Sequence, residues 1–237
     1  PELPSDRTVE GEPIPRRDPH ASSLMLDLTQ AYGGAPTTQR EMMDSVFTSA
    51  SQMPWGLVRL AGTDYDLRGS LELRWGDGSG GDQGMFPLRS VGIKVPLMPI
   101  AAFHVLMFAP TGAPTAEPYA YANVRVHYRD GSSTLLPIRT GRDVSATDLG
   151  LGNVAWVRGD HLRLTGGLRQ MLINNPRLLN PHPDRLIDSI DLEASKTQWA
   201  TPVFFAVTAE PVTSPGNSGM ESPNTGNEPP QPTSKEP

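Results

Sequence analysis

Between Gly69 and Trp75 apolar and polar residues alternate without a break. Leu71, Leu73 and Trp75 fall on one side, Glu72 and Arg74 on the other. That period of two is the signature of a half-buried strand. Val124, Val126 and Tyr128 alternate in the same way with Arg125, His127 and Arg129, after which Asp130-Gly131 precedes a second run from Thr134 to Ile138. An Asp-Gly step between two such runs predicts a β-hairpin, because glycine supplies the positive φ a tight turn needs. Further strand-length apolar patches lie at Leu24–Leu28, Val91–Val95, Ala101–Ala109, Val154–Val157, His161–Leu164, Leu168–Ile173, Leu186–Leu192 and Val203–Thr208. Thr38-Gln39-Arg40-Glu41 has capping-box spacing and predicts a short helix over about 38–46. About ten short strands with no helices alternating between them indicate an antiparallel sandwich with two apolar faces packed together.

Composition points the same way. Glycine (23) and proline (25) together fill 48 of 237 positions, an excess that weakens helix interiors and favours turns. The expected fold is all-β, an antiparallel jelly-roll-like β-sandwich with at most one or two short helices. Proline also marks the ends. Residues 1–21 read as an extended arm, 22–212 as the sandwich domain, and 213–237 as a Pro-rich tail whose only large apolar side chain is Met220. A segment so poor in apolar surface cannot offset its ordering entropy alone.

Charge narrows the partners. A net charge of −6, with no basic run longer than Arg16-Arg17, gives no footprint for a nucleic-acid backbone. Only three of the 20 basic residues are lysine (Lys94, Lys196, Lys235), and arginine suits bidentate contacts to carboxylates and stacking on rings. There is no cysteine, which excludes thiol chemistry and disulfides. No apolar run reaches the ~18 residues of a membrane helix. The chain opens at Pro1 with no apolar leader stretch, and a mature, exported protein is expected on that ground.

Several short motifs, in order, resemble a known kind of module. These are Met53-Pro54-Trp55-Gly56, Leu67-Arg68-Gly69, Gly92-Ile93-Lys94-Val95, Tyr128-Arg129-Asp130-Gly131, Pro137-Ile138-Arg139, Gly141-Arg142-Asp143-Val144, Asn175-Pro176, Pro183-Asp184, Ser189-Ile190-Asp191 and Ala206 to Glu210. They are similar to the galactose-binding-like jelly-roll modules of exported bacterial proteins, as in the outer regions of anti-sigma regulators and accessory segments of glycoside hydrolases. The resemblance spans Leu24 to Glu210 and implies a jelly roll outside the cytoplasm with a binding role. Such modules often carry a histidine near the end of the central apolar strand; here Met107 stands there, with His104 three residues earlier.

Candidate chemistry is thin. The five histidines never fall in a metal-binding spacing; His104, in an apolar strand, reads as a hydrogen-bonded core residue, and His127 as part of a solvent face. Asp64, Asp66, Asp77 and Asp82 are hard oxygen ligands that could hold a structural calcium, of the kind the resemblance implies. The glycines at 76–84 lack the Gly-Lys-Ser/Thr of a phosphate cradle, and no serine sits in a G-x-S-x-G elbow. Trp199 and Trp156 are the candidate sugar platforms, with Arg139 and Arg142, around Gly141, as polar partners; Arg139 and Arg142 also read as salt-bridged turn residues. A carboxylate pair for glycoside hydrolysis is assembled by the fold and leaves no spacing signal.

The sequence therefore leads to a non-catalytic, extracytoplasmic, periplasmic protein, peripheral to a membrane. It is expected to be an accessory subunit docking on a larger, membrane-associated protein complex through its sandwich, its edge strands and its arms. A carbohydrate-binding module is the alternative, and a glycoside-active enzyme a more distant one. No cofactor beyond the calcium candidate is implied.

Overall fold

The computed structural model describes residues 8–9, 12–33, 54–73, 89–109, 119–144, 161–166, 169–195 and 201–213. Among these there are strands and turns and no helix. The strands in chain order are β1 (Thr8–Val9), β2 (Glu12–Pro13), β3 (Gly56–Leu60), β4 (Thr63–Leu67) and β5 (Leu71–Glu72), then β6 (Arg89–Lys94) and β7 (Ile100–Phe108). They continue as β8 (Ala120–Tyr128), β9 (Ser133–Arg139), β10 (His161–Gly166), β11 (Arg169–Asn174), β12 (Arg177–Leu179), β13 (Ile187–Ala194) and β14 (Val203–Pro211).

Two antiparallel sheets carry the fold. The larger runs β10-β11-β7-β14-β5, with β12 also paired to β7, and the smaller runs β6-β13-β8-β9. Their facing sides form one core. Phe103, Val105, Met107, Phe204 and Val207 of the larger sheet meet Val124, Val126, Ile138, Ile190 and Leu192 of the smaller. The chain is an all-β sandwich.

A third layer explains a feature of the sequence. The β3–β4 hairpin lies on the outer side of the larger sheet, where Tyr65 and Leu67 bury against Leu106, Phe108, Ile173, Val203, Phe205 and Ala206. Strand β7 is thus apolar on both sides, odd positions facing the smaller sheet and Leu106 and Phe108 facing the hairpin. A strand covered twice reads as a continuous apolar run. In β14 the register to β7 slips between Phe204 and Ala206. The bulge turns both Phe205 and Ala206 to the hairpin while Phe204 and Val207 keep to the inner core.

The N-terminal segment belongs to the body. The backbone amide of Leu26 donates to Val207 and that of Ala209 to Leu24, at 2.9 and 2.8 Å. Residues 24–26 therefore flank β14 below the point where β5 leaves it. The Tyr32 hydroxyl donates to the Phe205 carbonyl at 3.0 Å, closing the bulge. Ile14 packs in the inner core, eight residues before the expected start of the domain at 22.

The smaller sheet guards its edges. In the β8–β9 hairpin the Tyr128 amide donates to the Ser132 carbonyl and Gly131, at φ 84, supplies the left-handed residue. That contact sets the alternation, so even positions of β9 bond β8 and odd ones face outward. Pro137 stands at an outward position, where a missing N–H costs no ladder bond. The outward amide of Arg139 is taken by Asp143 at 2.8 Å. On the other edge, β6 contains Gly92 at φ 74. Such edges resist further strand pairing.

Strands β10 and β11 pair through six positions, but only Ile173 and Asn174 of β11 pair with β7, opposite Phe108 and Met107. Beyond those two positions the pair continues as a two-stranded ribbon with no third strand among the described residues. Leu162 lies opposite Ile173 and Leu164 opposite Met171. Strand alternation places these four positions on one face of the ribbon.

The expected strands at 91–95, 101–109, 124–129, 134–138, 161–164, 186–192 and 203–208 are present to within a few residues. Leu71 and Leu73 are buried with Glu72 half-buried between them, as the alternation requires. Strands β3, β4 and β12 have no counterpart in the sequence reading. The helix at 38–46, the strand at 154–157, Trp75, the loop at 76–84 and the tail beyond 213 lie outside the described residues.

Candidate functional site

On the outer side of the larger sheet, Arg177, His104 and Thr208 stand abreast on β12, β7 and β14, and Leu179, Ala102 and Glu210 form the next row. Antiparallel neighbours in one row lie side by side, so long side chains of adjacent rows reach one another. The Glu210 carboxylate accepts from Nε and Nη2 of Arg177 at 2.6 and 2.7 Å, and meets His104 Nε2 at 2.9 Å. The Arg177 hydrogen bonds, with His104 adding to them, hold the Glu210 carboxyl down at about 2.

The β3–β4 hairpin completes this line. Thr63 and Tyr65 share the face of β4 turned to the sheet. Thr63 Oγ1 lies 3.4 Å from His104 Nδ1, and the Tyr65 hydroxyl donates to Asn175 Oδ1. Burial keeps the Tyr65 phenol well above its usual range. The Thr208 hydroxyl donates to the Asp64 carbonyl at 2.7 Å and ties the hairpin down. The result is a line of polar groups from Arg177 through Glu210, His104, Thr63 and Tyr65 to Asn175, hydrogen-bonded from Arg177 to His104 and from Tyr65 to Asn175, and gathered from β4, β7, β12, β14 and the β11–β12 link. Exposure rises along it, from Tyr65, fully buried, through the His104 side chain at 17% to Arg177 at 46%.

A second cluster is interior. Arg68, just after β4, donates from Nε to Asp66 at 2.9 Å, from Nη2 to Asp27 at 2.6 Å, and from Nη1 to Thr29 at 2.7 Å and the Pro15 carbonyl at 3.1 Å. Arg17 stands 3.4 Å from Asp66 and donates to the carbonyls of Ser22 and Met25. Burial raises the Asp66 carboxyl in spite of both arginines. The contacts of Arg68 with Asp27, Thr29 and Pro15, and of Arg17 with Asp66, join the N-terminal segment to the hairpin, so the chemistry of this cluster is that of a clasp.

A third group lies on the outer side of the smaller sheet. Arg125 grips Glu193 at 2.7 and 3.2 Å, and His127 Nε2 meets Asp191 Oδ2 at 2.9 Å. The other Asp191 oxygen accepts from the Gly92 amide at 2.8 Å.

The residues singled out in the sequence are scattered. Arg142 forms a bidentate pair with Asp143 at 2.8 and 2.7 Å, and Arg139 meets the same carboxylate through its amide, so this turn closes on itself. Asp64 and Asp66 point to opposite sides from Thr63 and Tyr65. Asp64 is exposed beside Arg59 at 3.5 Å, and Asp66 is buried with Arg68. Trp156, Trp199, Asp77 and Asp82 lie outside the described residues. Among the described residues no group of three or more His, Asp or Glu is placed to hold a metal ion, and no helix is long and apolar enough to cross a membrane. His104 has the hydrogen-bonded partners expected of it, but it stands partly exposed on the outer side of the larger sheet and not in the core. Glu210, Arg177 and Thr63 left no sequence signal, since they lie 106, 73 and 41 positions from it.

No protein-family model matches the chain, and no curated protein matches it.

Proposed function

We propose that this protein is an extracytoplasmic assembly module of galactose-binding-like, jelly-roll type, which docks on a protein partner within a larger membrane-associated complex. The observation that carries the reading is the β10–β11 ribbon, joined to the larger sheet through two positions of β11. Isolated two-stranded ribbons are at best marginally stable in water, and this one carries three apolar positions, Leu162, Leu164 and Met171, in a row that continues from the buried Ile173. A partner laid against those three positions would add the kind of layer that Ile173 has from the hairpin. The guarded edges of the smaller sheet, with Pro137 on one side and Gly92 on the other, direct docking to the ribbon rather than to strand addition there.

The test is the size of the species recovered by gentle extraction from the cells that make it. The wild-type protein is expected in a large assembly, and a Leu164→Glu, Met171→Glu variant with an unchanged melting temperature as a free monomer. A wild-type monomer, or a variant still assembled, overturns the reading. Glycan-dependent retention of the monomer on an array would replace it with a carbohydrate-binding one.

A further inference from the structure

We propose that Thr63, His104 and Glu210 form a hydroxyl–imidazole–carboxylate relay that takes a small acyl group from a carboxylic ester and passes it to water. The inference does not rest on the docking reading. Glu210, gripped by both nitrogens of Arg177 at 2.6 and 2.7 Å, is an acceptor only. In the 2.9 Å contact with Glu210, His104 Nε2 is therefore the nitrogen that carries the proton. A neutral imidazole then presents its lone pair at Nδ1, and the Thr63 hydroxyl faces that atom at 3.4 Å. This spacing is looser than a formed hydrogen bond, as resting nucleophile–base pairs often are. Triads of this kind are recognised by geometry and roles, not by sequence order.

The steps balance without a co-reactant other than water. The Thr63 proton passes to His104 Nδ1 as Oγ1 bonds to the ester carbonyl carbon. The tetrahedral oxyanion collapses, the C–O bond to the alcohol breaks, and the alcohol departs with the proton from Nδ1. Water then gives a proton to Nδ1 as its oxygen adds to the acyl carbon. Thr63 Oγ1 leaves and regains that proton from the imidazole. The γ-methyl of threonine crowds its hydroxyl, so the acyl group must be small and unhindered. Arg177 gives its side-chain hydrogen bonds to Glu210 and acts as a positioning residue.

The test uses the full chain and p-nitrophenyl acetate. Nitrophenol release above the buffer rate is expected, with an acetyl group found on the Thr63 peptide after acid quenching. Thr63→Val should abolish the adduct while leaving the melting temperature within a few degrees. His104→Gln or Glu210→Gln should slow release by ~100-fold, and Arg177→Met by less, with acetyl-Thr63 still formed. Release that persists in Thr63→Val, or the absence of acetyl-Thr63 in the wild type, overturns the proposal.

Discussion

Arg68 and Arg125 each hold carboxylates through Nε and Nη2, but in different surroundings. The Arg68 side chain is 4% exposed, and its donors are divided among two aspartates, a threonine hydroxyl and a carbonyl. The Arg125 side chain is 34% exposed and grips Glu193 alone. In the interior, desolvation outweighs attraction for Asp66, whose carboxyl is raised although two arginines surround it. At the surface the balance reverses, and the hydrogen bonds to Glu193 raise the Arg125 guanidinium. An arginine–carboxylate contact thus acts as a structural commitment in one place and as a minor ornament in the other. Burial decides which.

The largest effect should come from breaking the interior cluster. Arg68→Met leaves Asp66 buried without its main partner and should cost about 3–5 kcal/mol, read as a shift in the urea midpoint. The companion variant sharpens the point. Adding Asp66→Leu removes the stranded charge as well, and the double variant should recover more than half of the loss. If it does not, the arginine holds the clasp through Thr29 and Pro15 rather than through charge.

Glu210 is intermediate. Its carboxyl is held at about 2, below its ordinary 4.5, chiefly by the Arg177 hydrogen bonds. A lowered folded-state value means stability that is fully present above 4.5 and lost as the pH falls through about 2. With a third of the side chain in solvent the contribution should be about 1 kcal/mol. The gap in melting temperature between wild type and Glu210→Gln should therefore close across that window. Arg125→Ala should have the smallest effect, below ~1 kcal/mol, and should shrink further in 1 M salt. A loss as large as that of Arg68→Met would erase the contrast between the two arginines.

What the sequence disclosed follows from the range of the interactions. The β8–β9 hairpin was legible because alternation, Asp130-Gly131 and the next run are all local. Strand β7 was legible as an apolar run, but its second covering layer was not. In β3 and β4 the chain places Arg59, Asp64 and Asp66 among the apolar residues, and Asp64-Tyr65-Asp66 suggested ligand oxygens instead of a strand. Only the fold shows that Tyr65 faces the sheet while Asp66 faces Arg17 and Arg68. Strand β12 is three residues long, too short for a period to register. The line from Arg177 to Asn175 was hidden for the same reason as the clasp. Its members meet through sheet register, which couples positions tens of residues apart without leaving any local spacing.

Strand β14 lies between β7 on one side and β5 with residues 24–26 on the other, and it is the final strand of the described chain. During synthesis the larger sheet therefore waits with a gap at its middle until residues 203–211 have left the ribosome. Until then Phe103, Val105 and Met107 have no neighbour on that flank and remain open to wrong contacts. The molecule should fold in a single late closing step, with nascent chains shorter than this point held unfolded and digested by added protease.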